Sequence, residues 1–146
     1  MIDRRIFVKT TCTLCFGAPL AVLFNACDAT RFVSGTLEAD GLSVATSEFQ
    51  ESPDKPGSFR PYIIVRNEKM EYPISLYRFS ETEYSALLMK CTHQGTELQA
   101  AGDQLHCSAH GSEFSNNGKV TRGPAETNLR SFPVLITREK LLIQLK

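Results

Sequence analysis

Short apolar runs separated by turn residues dominate the chain from about Gly35 onward. They are three to six residues long, and several follow the two-residue period of a half-buried strand. The runs occupy residues 62–65, 74–79, 84–89, 105–107, 132–137 and 141–145. We therefore predict a strand in each, with the last two forming a closing hairpin.

Turn residues support the same prediction. The segment 53–57 carries two prolines and a glycine, which favour a loop, and Asn117-Gly118 is typical of a hairpin turn. No 12-residue window beyond the N-terminal segment has convincing helical periodicity. The pattern thus predicts an all-β fold, a small antiparallel sandwich or barrel.

The N-terminal segment, residues 1–27, has a different pattern. Arg4 and Arg5 precede an uncharged stretch over residues 10–26, which is typical of an export signal. The paired arginines resemble a twin-arginine signal, which would export the protein already folded. This predicts a domain on the outer face of a bacterial cytoplasmic membrane, in the periplasm. A cytosolic protein with an apolar N-terminal helix is the alternative.

Two forms of membrane attachment stay open. Residues 23–27 resemble a lipobox ending at Cys27, while the apolar stretch is near the lower length limit for an uncleaved helical anchor. Cys12 and Cys15 lie within the stretch and are interpreted as small hydrophobic residues. Residues 28–34 are expected to form a linker, and residues 35–146 the folded domain.

Composition narrows the class of function. The 146 residues have a formal net charge of +0 and no basic stripe, which argues against nucleic acid as a partner. Only two of the five cysteines, Cys91 and Cys107, lie in the folded part, each close to a histidine. Metal ligation explains this better than a disulfide scaffold.

Two short segments carry the candidate chemistry. Cys91 and His93 form C-x-H, and Cys107 and His110 form C-x-x-H after thirteen intervening residues. Two facing loops of this kind could bind one iron by two sulfurs and the other by two nitrogens, as in a Rieske 2Fe–2S cluster. A single zinc ion is the competing interpretation, although C-x-H is not finger spacing.

Glycines follow both candidate ligand pairs. Gly95 and Gly111 each lie close behind a histidine and could let backbone amides approach cluster sulfides. The third histidine of the chain, His106, adjoins Cys107, but strand alternation directs it away from the cluster. It is interpreted as a surface residue.

These segments, with the downstream Gly123-Pro124-Ala125, resemble the Rieske iron–sulfur family from about Gly35 to Lys146. The resemblance implies a small domain with both cluster-binding loops at one tip and histidine edges near solvent. It also implies that Pro124 belongs to a loop covering the cluster.

The sequence departs from the quinol-oxidising members of that family at three positions. Thr96 and Ala109 stand where those subunits have a disulfide pair, so we expect a more labile cluster. Ser112 matches a serine that donates to a bridging sulfide, but Phe114 replaces a tyrosine that donates to a cysteine sulfur. The resemblance therefore implies a potential between the quinol-oxidising subunits and Rieske ferredoxins without either hydroxyl.

The predicted function is electron transfer, with no independent catalytic site. A Rieske oxygenase needs a further iron site with two histidines, and only one histidine remains. The chain would be a membrane-tethered carrier or the small subunit of a periplasmic oxidoreductase, its partner a cytochrome or a large molybdenum subunit. A quinol-oxidising subunit beside cytochrome b, and a purely structural cluster or zinc module, are alternatives.

Overall fold

The computed structural model describes residues 30–146, and the predicted export signal lies outside them. Among the described residues no helix has the length and apolar character to cross a membrane. Within residues 30–146, thirteen strands and one 3₁₀ helix (Thr46–Phe49) make up the regular structure. The strands are β1 (Phe32–Ser34), β2 (Thr36–Glu38), β3 (Gly41–Ala45), β4 (Tyr62–Arg66), β5 (Ile74–Arg78), β6 (Tyr84–Leu88), β7 (Gln99–Ala101), β8 (Gln104–His106), β9 (Glu113–Ser115), β10 (Val120–Arg122), β11 (Ser131–Phe132), β12 (Val134–Ile136) and β13 (Lys140–Ile143).

These strands form three sheets. The central sheet has the order β1-β4-β5-β6-β11, the base sheet β12-β13-β3-β2, and the ligand sheet β10-β9-β8-β7. The all-β prediction is confirmed, and so are the hairpins at Asn117-Gly118 and at residues 138–140.

The central sheet is buried on both faces. Ile63 and Leu76 belong to one apolar cluster with Leu141 of the base sheet. Ile64 belongs to a second cluster with Leu105 of the ligand sheet. Burial on both faces explains why residues 62–65 form a continuous apolar run rather than an alternating one.

The predicted linker is wrong at its C-terminal end. Phe32–Ser34 forms β1, which pairs with β4 in parallel, Phe32 opposite Ile64. The sheet is therefore not wholly antiparallel. Three residues carry too little periodicity to predict a strand, and the free edge of β4 supplies the hydrogen bonds that order them.

The predicted strand over residues 132–137 is divided at Pro133. Ser131–Phe132 pairs with β6 of the central sheet, whereas Val134–Ile136 pairs with β13 of the base sheet. Proline has no N–H to donate to a ladder, which suits the position where the chain leaves one sheet for the other.

Candidate metal centre

The first candidate loop, residues 91–96, begins immediately after β6 and the bridge between Lys90 and Glu97. The Cys91 amide donates to the Thr96 carbonyl at 2.8 Å, and the Gly95 amide donates to the Cys91 carbonyl at 2.8 Å. Two backbone hydrogen bonds therefore close the loop on itself.

The second loop, residues 107–112, has the same backbone arrangement after β8. The Cys107 amide donates to the Ser112 carbonyl at 2.8 Å, and the Gly111 amide to the Cys107 carbonyl at 2.9 Å. Gly95 and Gly111 have φ values of 78° and 77°, which residues with a Cβ rarely adopt. The two loops thus share a local geometry that explains a glycine behind each histidine.

The four predicted ligands divide into an inner and an outer pair. The cysteines are free thiols, 2% exposed at Cys91 and 1% at Cys107. His93 and His110 are exposed, with ring centroids 4.9 Å apart and planes at 88°. This spacing is compatible with both imidazoles binding one metal ion while the thiols bind another beneath it.

The surroundings of Cys107 favour a thiolate. Burial raises the pKa of the Cys107 thiol, but backbone amides of Ala109 and His110 and the side chains of Cys91 and Thr96 lower it by hydrogen bonding. The net pKa lies below its ordinary value. A thiolate is the form in which cysteine binds metal.

A third loop, residues 123–128, contacts both ligand loops. The Thr92 hydroxyl donates to the Thr127 carbonyl at 2.7 Å, and the Ala125 amide donates to Ser112 Oγ at 3.0 Å. Pro124 is exposed and follows a cis peptide bond, while Ala125 is buried. The Gly-Pro-Ala segment therefore lies across the two loops. Hydrogen bonds to the third loop connect the two ligand loops, which have Thr96 and Ala109 in place of a disulfide pair.

Ser112 ends the second loop, Phe114 follows it in β9, and both are fully buried. Ser112 Oγ accepts a hydrogen bond from Ala125, so its own O–H is free to donate. Phe114 packs in the same apolar cluster as Cys91 and Cys107 and has no polar atom to offer either sulfur.

His106 lies apart from this arrangement. It is half-buried opposite Glu113, on the face of β8 opposite to that of buried Leu105. The prediction from strand alternation therefore agrees with the structure. Sequence reasoning missed Thr92 and Thr127, because their hydrogen bond joins residues 35 positions apart.

The donor set fits a 2Fe–2S cluster. Each loop contributes one cysteine sulfur and one histidine imidazole. Two ligands per iron is the requirement of a mixed-ligand cluster. Cys91 and Cys107 would hold one iron, and His93 and His110 the other.

Several known proteins are similar in sequence to parts of this chain. Cytochrome b6-f complex iron-sulfur subunit of Synechococcus elongatus is 36% identical over 55 residues, 36% of this chain and 31% of that protein. Mitochondrial cytochrome b-c1 complex subunit Rieske of Aotus azarae is 34% identical over 71 residues, 47% of this chain and 26% of that protein. The oxygenase component of dicamba O-demethylase from Stenotrophomonas maltophilia is 32% identical over 83 residues, 50% and 24% of the two chains. The chain spans a third or less of the length of these relatives.

Among solved structures, the cyanobacterial plasma membrane Rieske protein PetC3 of Synechocystis PCC 6803 has a similar fold. Its TM-score is 0.50 at 24% identity, covering 57% of this chain and 86% of that one. The family model described as Rieske [2Fe-2S] domain matches residues 55–133, more than half of the chain. The chain belongs to the Rieske [2Fe-2S] domain family, and its cofactor is a 2Fe–2S cluster.

Proposed function

We propose that this protein transfers electrons as a membrane-tethered carrier or as the small subunit of a periplasmic oxidoreductase. The observation that carries the proposal is the exposure of His93 and His110 above two buried cysteines. When bound, the cluster supplies a site that accepts and releases one electron. The exposed imidazoles provide the shortest route from that site to a partner.

The protein residues hold and shield the site. Leu98, Leu105 and Phe114 pack with the two cysteines and exclude water from the thiolate side. Leu105 and Phe114 lie opposite each other in the ligand sheet, so their strands fix the base of the second loop. A rigid, dry base limits the structural rearrangement that accompanies a change of charge.

Purified full-length protein tests the electron-transfer role. We expect two irons and two acid-labile sulfides per chain, and a reduced-state EPR spectrum with the low average g-value of mixed Cys/His ligation. Cys107→Ser should lose both, whereas Ser108→Ala, one residue along the same loop, should retain them. Stoichiometric zinc without sulfide in an intact domain would contradict the proposal.

We also propose that residues 1–27 tether the domain outside the cytoplasmic membrane. The position of Thr30, the first described residue, supports this arrangement. Its hydroxyl is hydrogen-bonded to the Tyr62 hydroxyl, at the end of β4 that is remote from the ligand loops. From there β1 runs parallel to β4 toward the loops. A tether at that end leaves the histidines free to meet a partner.

Cell fractionation tests the tether. Changing Arg4 and Arg5 together to Lys should leave folded, cluster-containing protein in the cytoplasm, since the twin-arginine signal depends on that pair. Fatty-acid labelling that is lost in Cys27→Ser would identify a lipid anchor, and membrane attachment retained by that variant would identify an uncleaved helix. Unchanged location of the arginine variant would refute the export route.

A quinol-oxidising complex is the second candidate, favoured by the similarity to the cytochrome b6-f and b-c1 subunits. In that case a quinol would deliver its electron at the exposed histidines. Thr96 and Ala109 weigh against it, because the resemblance implies that quinol-oxidising subunits have a disulfide pair at these two positions. Co-purification from native membranes distinguishes the candidates: cytochrome b supports the quinol complex, and a molybdenum-containing subunit supports the oxidoreductase.

A further inference from the structure

A charged groove adjoins the exposed His93. It has a volume of about 580 Å³, and its lining includes Tyr72, Lys90, Gln94, Thr127 and Arg130. The groove is open to solvent and runs from the first ligand loop to the segment between the third loop and β11. A molecule that fills it lies directly against the imidazole edge of His93.

The two cations of the groove are not neutralised by carboxylates. Among residues 30–146, Arg66 pairs with Glu97 and Arg122 pairs with Glu113. Lys90 and Arg130 make no ion pair in the same part of the chain. Both residues line the groove, and neither has a carboxylate partner there.

Aromatic rings hold both cations in place. Lys90 Nζ lies 4.9 Å from the centroid of the Tyr72 ring, and the Arg130 guanidinium lies 4.8 Å from that of Phe132. Arg130 also donates to the Leu145 carbonyl at 3.1 Å. A ring attracts a cation without cancelling its charge, so the pair is positioned in advance of binding.

The acidic residues of the neighbourhood, Glu71, Glu97 and Glu126, do not line the groove. Burial raises the pKa of Tyr72. The neighbouring carboxylates of Glu71, which interacts with the Tyr72 hydroxyl, and of Glu97 raise it further. Glu97 pairs with Arg66. Glu126 is exposed on the third loop and does not line the groove.

The exposed face of the ligand loops is itself polar. Thr92, Gln94 and Ser108 are exposed there, and the apolar groups beside them, Ala109 and Pro124, are small. The exposed large apolar side chains of the described residues lie elsewhere, for example Phe59 and Ile136. An apolar partner surface would bury these polar groups at a cost. Charge and hydrogen bonding must therefore provide the attraction at this end of the molecule.

We propose that the groove is the docking site for an acidic redox protein, whose carboxylates pair with Lys90 and Arg130 while its redox centre approaches His93. This inference rests on the proposed electron-transfer function and names the chemistry of the partner. Opposite charges on two redox partners raise the rate at which they associate in the correct orientation, and the effect is strongest at low ionic strength.

Stopped-flow electron transfer tests the proposal with two acceptors of opposite charge, an acidic plastocyanin and a basic cytochrome c. We expect the wild-type rate with plastocyanin to fall as salt is added. In Lys90→Gln/Arg130→Gln it should be about 10-fold lower at low salt and nearly independent of salt. The rate with cytochrome c should not fall.

The control is Lys119→Gln/Arg138→Gln, which removes two exposed cations that make no ion pair in residues 30–146 and lie outside the groove. It should retain the wild-type rates. Equal losses in the two double variants would show that net charge alone directs the encounter and would overturn the docking site. A wild-type rate with plastocyanin that ignores salt would overturn it as well.

Anion binding gives a readout that needs no electron transfer. Calorimetric titration with hexacyanocobaltate(III), a redox-inert trianion, should show binding to wild type and the control variant and none to the groove variant. Binding lost in the groove variant without any change in its plastocyanin rate would overturn protein docking. If wild type binds the anion but passes electrons to neither acceptor, the proposed function fails while the anion site stands.

Discussion

At the scale of single residues, Ser112 has two distinct interactions to make. Its Oγ accepts a hydrogen bond from the Ala125 amide at 3.0 Å, which orients the side chain. The O–H of the same group is left to donate to a different acceptor. The fully buried hydroxyl lies at the C-terminal end of the second ligand loop, where the cluster sulfides are the acceptors that the family resemblance implies. A hydrogen bond to sulfur stabilises the reduced state, which carries more negative charge.

Ser112→Ala should therefore lower the reduction potential. A charge-assisted bond that differs between the redox states by about 1.4 kcal/mol corresponds to about 60 mV for one electron. Protein-film voltammetry measures the change, with Ser108→Ala, an exposed serine of the same loop, as control. Equal potentials in wild type and Ser112→Ala would mean that the hydroxyl does not reach the cluster.

Phe114→Tyr should shift the potential in the opposite direction. Phe114 is fully buried in the apolar cluster that contains both cysteines, and a tyrosine hydroxyl introduced there is expected to donate to a cysteine sulfur, as the family resemblance implies. The expected rise is about 60 mV, by the same hydrogen-bond argument. Phe132→Tyr, in the other apolar cluster, is the matched control and should leave the potential unchanged.

At the scale of elements, the hairpins that frame the ligand loops depend on particular turn residues. Gly118 closes the turn between β9 and β10, its amide donating to the Ser115 carbonyl at 2.9 Å and its φ at 82°. A Cβ at this position would lie 2.9 Å from Leu87 Cδ2 of the central sheet. The turn is therefore packed against the core as well as conformationally restricted.

Gly118→Ala should destabilise the domain by about 2–4 kcal/mol, combining the left-handed backbone penalty with overpacking. Gly57→Ala is the control, because its φ of 88° is similar but no atom lies within 4 Å of the added Cβ. It should cost only the backbone part, about 1–2 kcal/mol. Thermal unfolding of the two variants compares them, and equal losses would contradict a packing role for Gly118.

At the scale of the whole molecule, the two apolar clusters stabilise different parts of the fold. The cluster between the central and base sheets contains no predicted ligand, whereas the one between the central and ligand sheets contains Cys91 and Cys107. Removing the metal should therefore loosen one layer and leave the other intact.

Hydrogen exchange of the Cys107→Ser protein measures this difference. Peptides that span residues 91–115 should exchange faster than in wild type, since they lose the crosslink between the two loops. Peptides from β4, β5 and β13 should keep their protection. Uniform loss of protection across the three sheets would show that the cluster is required for the entire fold.

The 2Fe–2S cofactor, the all-β class and the main hairpins could be predicted from the sequence because they depend on local patterns, and the four ligands stay a prediction of the same kind. Cys91 and His93 lie in one loop, Cys107 and His110 in the other, and strand periodicity is a property of neighbouring positions. The export signal of residues 1–27 remains a prediction of the same local kind.

Only the tertiary structure decided the contacts between distant segments. The parallel strand β1, the hydrogen bond from Thr92 to Thr127 and the assembly of Lys90 with Arg130 beside His93 each join parts of the chain more than 30 residues apart. No period or spacing encodes such pairs, because they depend on how the three sheets stack. The sequence by itself determined which cofactor the protein binds, and the stacking of its sheets decided which surface surrounds the exposed histidines.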